Sequence, residues 1–383
     1  MKKEVLIVTH SLEIGGGERH VANIANYLAK NDVAVTVFAI DNDIVAYPLD
    51  KSIDFRCIAD VKKQPVSLPD KAALKLSGFA GRSNYTEFKM YIKYSYTAAV
   101  REFAIAHTSA VVLSFMVIPI FTSLFALRGL KNRLVIFEFN NPDVQYNTAE
   151  KRRFLRKYIA RADTGIFQTE DQKKYYSPFA MKKFVIPNPL FSAQLPDKFT
   201  GRRQKTIVNF CRLSRPKNLP LLIDAFLLFH GDCPEYRLAI YGDGDLRDSL
   251  LEYINSKNAS DFITLYHSTT DIHNIVKDSA MFVSSSDWEG ISNSMLEAMA
   301  IGLPVICTDC PAGGARMMIE DGVNGLLTPV GDSNAMYLAM KRLAENPVFA
   351  ASLAENAVKI RDRLDPEKIC GEIIKAVFCE DNL

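Results

Sequence analysis

Short apolar runs rich in Val, Ile, Leu and Phe alternate with segments of helical periodicity along most of the 383-residue chain. Glu18–Lys30, for example, has helical periodicity and separates the first apolar run from the second. Repeated alternation of this kind predicts parallel sheets with helices on both faces, the α/β class. The predicted strands are Val5–Val8, Val33–Ala39, Ala110–Phe115, Leu134–Phe137 and Gly165–Phe167, followed by 206–210, 237–241, 262–266, 280–284 and 304–307.

The length suits two domains, each large enough to bury its own core. The best boundary lies at Pro187-Asn188-Pro189, because two prolines flanking Asn188 prevent a helix or a central strand from running through. We therefore predict a first domain over 1–188 and a second over 189–365. A C-terminal helix within 366–383 is expected to pack back toward the first domain.

Composition is that of an ordinary globular protein, with 48% hydrophobic and 23% charged residues. The seven cysteines are scattered, which predicts reduced thiols, and Cys307-x-x-Cys310 has no second pair that would complete a zinc site. The apolar stretch Val111–Leu127 contains Pro119 and is shorter than the roughly 20 residues of a transmembrane helix. It predicts a buried strand followed by a buried helix.

Charge is unevenly distributed, although the net charge is only +2. Lys and Arg outnumber Asp and Glu in residues 1–190, which suggests that this part faces something anionic. The segment Lys151–Arg161 mixes basic and apolar residues at helical spacing, and Lys89–Arg101 is a second basic and aromatic stretch. An anionic membrane surface and a plain solvated helix face explain them equally well. No zinc-finger or helix-turn-helix spacing indicates a nucleic-acid partner.

Three segments that follow predicted strands are candidates for binding an anion. Gly15-Gly16-Gly17-Glu18 opens a helix, where glycine lets the backbone approach a phosphate and the helix start attracts negative charge. Arg212–Lys217 supplies cations that would neutralise a diphosphate. Gly242-Asp243-Gly244 is a tight turn that would border a ligand. Each alone also fits an ordinary turn or a solvated basic loop.

The strongest candidate site lies around Glu289 and Glu297. Ser292 or Asn293 is predicted to cap a helix that runs to about Ala300, which places one glutamate before the helix and the other within it. A helix start binds anions, and ionised carboxylates accept hydrogen bonds from sugar hydroxyls. The pattern would equally suit two exposed glutamates around a capped helix.

The run from Glu289 to Val305, E-G-I-S-N-S-M-L-E-A-M-A-x-G-L-P-V, resembles the signature of the retaining family-4 glycosyltransferases of bacterial polysaccharide and lipopolysaccharide type. Gly15-Gly16, Asn188-Pro189, Arg212…Lys217, Gly242–Gly244 and Cys310–Gly314 follow the family's order. The resemblance implies the GT-B fold, in which two Rossmann-like parallel-sheet domains enclose an interdomain cleft. The first domain would bind the acceptor and the second the nucleotide sugar.

The resemblance also implies roles for individual residues. Arg212 and Lys217 would bind the donor diphosphate, Glu289 the donor sugar and Glu297 the ribose, so that the implied catalytic residues are Glu289, Arg212 and Lys217. The implied donor-binding residues are Gly16, Gly17, Gly242, Gly290, Ile291, Ser292, Asn293 and Glu297. The implied acceptor-binding residues are Glu18, Asn140 and Asn141.

The reaction implied is transfer of a hexose or N-acetylhexosamine, with retention, from a nucleoside diphosphate sugar to a saccharide acceptor linked to a lipid. Uridine is the expected base, no cofactor or metal is expected, and cell-surface polysaccharide synthesis is the expected process. We expect a cytoplasmic protein, peripheral on the inner face of the membrane. Ser114-Phe115-Met116 stands where many relatives carry a histidine, so no catalytic histidine is assigned. The alternatives are a nucleotide-sugar 2-epimerase or hydrolase of the same fold, or a non-catalytic nucleotide-sugar-binding subunit.

Overall fold

The computed structural model describes residues 3–13, 15–58, 94–192 and 195–379, with the backbone only for residues 94, 95, 150 and 154. The part of the basic stretch from Lys89 to residue 93 lies outside the described residues. The chain divides into two compact units, Met1–Ile186 with Cys370–Leu383, and Pro187–Ile369. We call them the first and the second domain.

The first domain is built on one parallel sheet of seven strands in the order β3-β2-β1-β4-β5-β6-β7. The interior strand β1 is apolar and fully buried from Val5 to Val8, as both faces of a doubly wound sheet require. The strands are β1 Glu4–Thr9, β2 Ala34–Ala39, β3 Asp54–Cys57, β4 Val111–Phe115, β5 Leu134–Glu138, β6 Thr164–Phe167 and β7 Lys182–Val185. The helices are α1 Gly16–Lys30, α2 Tyr94–Ala106, α3 Val117–Ala126, α4 Pro142–Gln145, α5 Ala149–Tyr158 and α6 Glu170–Tyr175.

The apolar stretch Val111–Leu127 forms β4 and α3, both buried in the first domain, as the sequence predicts. Ile120, Phe121 and Leu124 of α3 pack into the core. No helix among the described residues is long and apolar enough to cross a membrane.

The second domain contains a parallel sheet of six strands in the order β10-β9-β8-β11-β12-β13. Together the two sheets confirm two Rossmann-like domains. The strands are β8 Gln204–Phe210, β9 Arg237–Tyr241, β10 Ile263–Tyr266, β11 Ser279–Ser284, β12 Val305–Thr308 and β13 Leu326–Thr328. The helices are α7 Leu219–Asp232, α8 Arg247–Ser256, α9 Ile272–Val276, α10 Asn293–Ala300, α11 Gly314–Met318, α12 Ser333–Glu345, α13 Pro347–Ala357 and α14 Ile360–Arg363.

Three strands were not predicted, namely β3, β7 and β13. Each lies at an edge of its sheet, and each is short. β3 and β7 face solvent in part and so need few apolar residues, and β13 is too short to show a periodic pattern. β3, for example, reads Asp-Phe-Arg-Cys with its side chains at least partly exposed.

The last helix, α15 Pro366–Phe378, begins in the second domain and continues into the first. Within the first domain, the ammonium of Lys3 lies 5.0 Å from the centre of the Phe378 ring. Arg133 Nη2 donates to Cys379 Sγ over 2.7 Å. Residues 380–383 of the predicted C-terminal segment lie outside the described residues.

Candidate functional site

The strand order of the second sheet reverses between β8 and β11, which lie side by side. Ligands of open parallel sheets bind outside the carboxyl ends of the strands at such a switch point. The two predicted motifs follow these two strands: Arg212–Lys217 comes after β8, and Ser285–Glu289 comes after β11. The topology therefore brings together segments that are far apart in sequence.

Lys217 and Glu289 form an ion pair at this edge, in which Lys217 Nζ donates to Glu289 Oε1. Ser286 Oγ donates to the other carboxylate oxygen over 3.0 Å. The two charged side chains are 18% and 22% exposed, so they are shielded but reachable. Burial opposes the charge of Lys217, yet the Glu289 carboxylate outweighs it and raises the pKa of Lys217 above its usual value. Lys217 therefore stays cationic at neutral pH.

The two loops are joined by further hydrogen bonds. Asp287 N–H donates to the Pro216 carbonyl over 2.8 Å, and Asn218 Nδ2 donates to Asp287 Oδ1 over 2.7 Å. Ser285 Oγ donates to the carbonyl of Lys217 over 2.9 Å. The backbone that carries Lys217 is thus fixed relative to the backbone that carries Glu289.

Helix α10 begins where the sequence predicts, with Ser292 as its N-cap accepting from Met295 N–H over 3.4 Å. Asn293 Oδ1 accepts from Asn188 Nδ2 over 3.1 Å, within the same domain. The preceding segment Gly290-Ile291 packs so closely on α11 that a Cβ at Gly314 would collide with the Gly290 carbonyl. A cavity of about 10 Å³, room for one water, lies beside Glu289, Gly290 and Ser292.

Glu297 has a partner that the sequence analysis missed. Its Oε2 lies 2.9 Å from His273 Nε2, and the two side chains are 10% and 14% exposed. The His273 ring meets the edge of Phe210, with ring centres 6.0 Å apart. His273 lies on the short helix α9, which carries no motif, and only the fold reveals the pairing.

Gly242 and Gly244 bring the turn after β9 against the loop that carries Arg212. A Cβ at Gly242 would collide with the Cys211 carbonyl, and one at Gly244 with the Leu213 carbonyl. Gly242 and Gly244 thus have a packing role in addition to any contact with a donor. Arg212 itself is exposed.

Asp243 and Asp245 form an Asp-x-Asp pair at the end of β9, but Asp243 is engaged by protein groups. Hydrogen bonds from Ser268 and from His267 hold the pKa of Asp243 far below its usual value. In the part of the chain that the structure describes, no cluster of three or more His, Cys, Asp or Glu residues suits a metal ion. A reaction without metal stays a prediction.

All seven cysteines are free thiols. Burial raises the pKa of Cys211 and of Cys310 to about 12, so that both thiols are protonated near the Lys217–Glu289 pair.

The first domain has a pocket of its own at the carboxyl ends of its strands, with a volume of about 300 Å³. It lies where the strand order of this sheet reverses, since His10 follows β1 and Met116 follows the neighbouring β4. The predicted residues Glu18 and Asn140 line it. The other lining residues are Val117, Ile118, Pro119, Phe121, Gln145 and Lys151.

Asn141 does not line this pocket. It is buried, and its side chain caps α4 by accepting from Asp143 N–H over 2.9 Å. The structure thus gives Asn141 a structural role, and its predicted acceptor contact stays untested. Gly16 and Gly17 form the first turn of α1, which Gly15 precedes in an extended conformation.

His20, which follows the glycine-rich segment, lies inside the core of the first domain. Its ring packs edge-on against Phe137 and Phe139. Burial lowers its pKa to about 3, so the ring is neutral. His10, in contrast, reaches the pocket.

Comparison with known proteins shows that the chain is similar to glycosyltransferases. Residues 204–346 match the family described as glycosyl transferases group 1. Over 259 residues the chain is 27% identical to the N-acetylgalactosamine-N,N'-diacetylbacillosaminyl-diphospho-undecaprenol 4-alpha-N-acetylgalactosaminyltransferase of Campylobacter jejuni, covering 64% of this chain and 70% of that protein. It is 24% identical to an uncharacterized glycosyltransferase of Haemophilus influenzae, covering 97% of this chain and 99% of that protein.

The crystal structure of Anabaena HepE in complex with UDP has a TM-score of 0.74 and 19% identity to this chain, covering 98% of this chain and all of that one. The two parallel-sheet domains and these matches define a glycosyltransferase of GT-B fold. The match of residues 204–346 to the group 1 glycosyl transferases and the glycosyltransferases among the relatives confirm the predicted resemblance.

Proposed function

We propose that the enzyme transfers a hexose or N-acetylhexosamine from a uridine diphosphate sugar to a lipid-linked saccharide, with retention of the anomeric configuration and without a metal. The Lys217–Glu289 ion pair at the switch point of the second sheet carries this proposal. A cation and a carboxylate placed side by side at such an edge suit a ligand with a diphosphate and sugar hydroxyls.

The donor chemistry follows from the second domain. As the bond to the sugar breaks, negative charge grows on the leaving diphosphate and the sugar ring gains positive character. Lys217 and Arg212 would stabilise the diphosphate, and the start of α10 would add its positive dipole end. Glu289 would accept hydrogen bonds from the sugar and Glu297 from the ribose. Uridine as the base is supported by the UDP complex of the HepE structure.

The acceptor is proposed from the first domain and from one relative. The name of the Campylobacter jejuni enzyme describes an acceptor saccharide linked to diphospho-undecaprenol. The pocket in the first domain combines Lys151, which would contact an anionic group, with Glu18 and Asn140, which would bind hydroxyls or N–H groups. A saccharide attached to a lipid diphosphate offers all of these partners.

A panel of nucleotide sugars tests the proposal. UDP sugars should raise the melting temperature at millimolar concentration, because a ligand that binds only the folded state stabilises it. Transfer to a polyprenyl-diphosphate saccharide should then proceed in EDTA, and proton NMR of the product should show the anomeric configuration of the donor. Stabilisation by no UDP sugar contradicts the proposal. Donor turnover without acceptor would instead support the epimerase or hydrolase. Donor binding without any turnover would support the non-catalytic subunit.

We also propose that α5 rests on the anionic inner face of the membrane. Leu155 is buried in the core and anchors this helix, whereas Arg152, Arg153, Arg156 and Lys157 are exposed. Four exposed cations on one helix suit anionic lipid headgroups.

Vesicles containing phosphatidylglycerol should retain the protein at low salt. Replacing Arg152 and Arg153 with Gln should weaken this retention. Replacing Lys173 and Lys174 of α6 with Gln removes the same charge elsewhere on the first domain and should have little effect. Equal loss in both double variants would indicate only nonspecific attraction.

A further inference from the structure

A carboxyl group lies buried directly behind the pocket of the first domain. Glu138, the last residue of β5, has no exposed surface. The hydroxyl of Tyr176 donates to its Oε2 over 3.0 Å. Tyr176 is itself fully buried, so this end of the carboxyl group is fixed in the core.

Gln145 connects Glu138 to the pocket. When the Gln145 amide is oriented to satisfy its hydrogen bonds, its nitrogen donates to Glu138, 2.7 Å from Oε1 and 3.1 Å from Oε2. The Gln145 amide oxygen accepts from Asn140 Nδ2 over 2.9 Å. Turning this amide over would place its oxygen against the ionised Glu138 carboxylate, so Glu138 in its ionised form determines which way Gln145 points.

Asn140 is held in place by these contacts. Its side-chain nitrogen donates to Gln145, and its backbone carbonyl accepts from Gln172 Nε2 over 3.0 Å. The bond to Gln145 fixes the Asn140 amide and leaves its oxygen, beside the second hydrogen of its nitrogen, for a ligand in the pocket that Asn140 lines. The pocket therefore has a fixed hydrogen-bond acceptor.

Another part of the pocket wall is apolar. It is formed by Val117, Ile118, Pro119 and Phe121 of α3, and by Met116 before it. A ligand group that donates one hydrogen bond and also carries a methyl suits both the Asn140 oxygen and the apolar wall. An acetamido group has such an N–H and such a methyl. A plain hydroxyl can donate to Asn140 but leaves the apolar wall against water.

We propose that this pocket selects an acceptor sugar that carries an acetamido group, and that Glu138, acting through Gln145, is the positioning residue that turns the Asn140 oxygen toward it. The inference rests on the proposed function, because the pocket must receive the acceptor. It goes further by assigning the chemistry of the acceptor sugar to three residues of the first domain.

Two synthetic acceptors test it, N-acetylglucosaminyl diphosphate and glucosyl diphosphate on the same farnesyl chain. Wild type should have the higher kcat/KM with the acetamido acceptor. Gln145→Met keeps the size but removes the amide, so its preference for the acetamido acceptor should fall about tenfold, the effect of one hydrogen bond. The KM for the donor should not change. Gln204→Met, at an exposed glutamine bonded to Asp278, serves as the control.

Substitutions of Glu138 separate positioning from folding. Glu138→Gln still presents an oxygen to the Gln145 amide and should keep the preference, whereas Glu138→Leu should lose it. Thermal melting identifies variants that fail to fold. The acceptor preference of Glu138→Gln, the conservative variant, then shows whether Glu138 acts by positioning. A Gln145→Met enzyme that loses activity equally with both acceptors, or that keeps its preference, overturns the inference.

Saturation-transfer NMR of the two acceptors without donor distinguishes this inference from the proposed function. If the acetamido acceptor binds preferentially and Gln145→Met loses this preference, the inference about the pocket is supported even where no transfer occurs. The absence of transfer then counts against the proposed function alone. Transfer without any preference for the acetamido acceptor overturns the inference and leaves the proposed function standing.

Discussion

Lys217 and Glu289 pair their side chains although they lie in different loops, and the reason is that β8 and β11 are neighbours in the second sheet. Hydrogen bonds between the same two loops hold the pair in place before any ligand arrives. A charged pair positioned in advance needs little reorganisation when charge develops on a leaving group. This is the physical basis of the predictions for the second domain.

Lys217→Ala should lower transfer on the order of 100-fold to 1,000-fold, the typical cost of losing one preorganised charge-stabilising group. It should also weaken binding of free UDP, because the diphosphate loses a cation. Initial rates with a UDP sugar and isothermal calorimetry with UDP measure the two effects.

The matched control is Lys205→Ala. Lys205 also pairs with a glutamate, Glu235 at 2.7 Å, but on the exposed start of β8. Such exposed pairs contribute little to stability. If both variants reduced transfer to the same extent, the special role of Lys217 would be refuted.

Glu289→Ala and Glu297→Ala should have different effects. Loss of Glu289 should reduce discrimination between UDP sugars, whereas loss of Glu297 should weaken binding of UDP itself, because the ribose loses its carboxylate. Competition among UDP-glucose, UDP-galactose and their N-acetylated forms, together with UDP titrations, measures both. Equal weakening of UDP binding by the two changes would contradict this division of roles.

His273→Ala should weaken UDP binding about tenfold, because Glu297 loses the partner that orients it and hydrogen bonds to charged groups are strong. His273→Gln can still donate and should recover part of the affinity. The control is His267→Ala, since His267 holds Asp243 at the surface with its side chain 74% exposed. A titration in which His273→Ala binds UDP as wild type does would show that Glu297 needs no such support.

The donor site was predictable from sequence where residue type and helix chemistry act locally. Glu289, the Ser292 cap and Gly302 occur in one continuous run, so the α10 segment was predicted almost as found. Pairs such as His273 with Glu297 depend on how a short helix packs, and no local pattern encodes that. The edge strand β13 was missed because its three residues are too few to show a periodic pattern, although Leu326 and Thr328 are buried.

Gly314→Ala should destabilise the second domain by about 1–3 kcal/mol, the usual cost of overpacking. Its new methyl would collide with the Gly290 carbonyl, so the segment before α10 would have to shift and transfer should fall as well. Gly231→Ala, in helix α7 with open space around it, should be neutral or stabilising by about 0.5–1 kcal/mol. Urea unfolding of both variants measures the difference, and equal stabilities would show that the close approach at Gly314 is dispensable.

Glu138 should make the stability of the first domain depend on pH. Burial raises the pKa of Glu138 from 4.5 to about 7, against opposing hydrogen bonds from Tyr176 and its neighbours. The folded state therefore holds this proton more tightly than the unfolded state. Its contribution is fully present below pH 4.5 and is lost as the pH rises toward 7, up to about 3 kcal/mol at roughly 1.4 kcal/mol per pKa unit.

Glu138→Gln has no proton to lose, so it should gain stability relative to wild type across this window. Urea unfolding of both proteins between about pH 5 and pH 8, followed by circular dichroism, measures the change. Glu170→Gln, at a carboxylate that is 72% exposed, serves as the control. A stability difference between Glu138→Gln and wild type that stays flat with pH would mean that this carboxyl group titrates normally despite its burial.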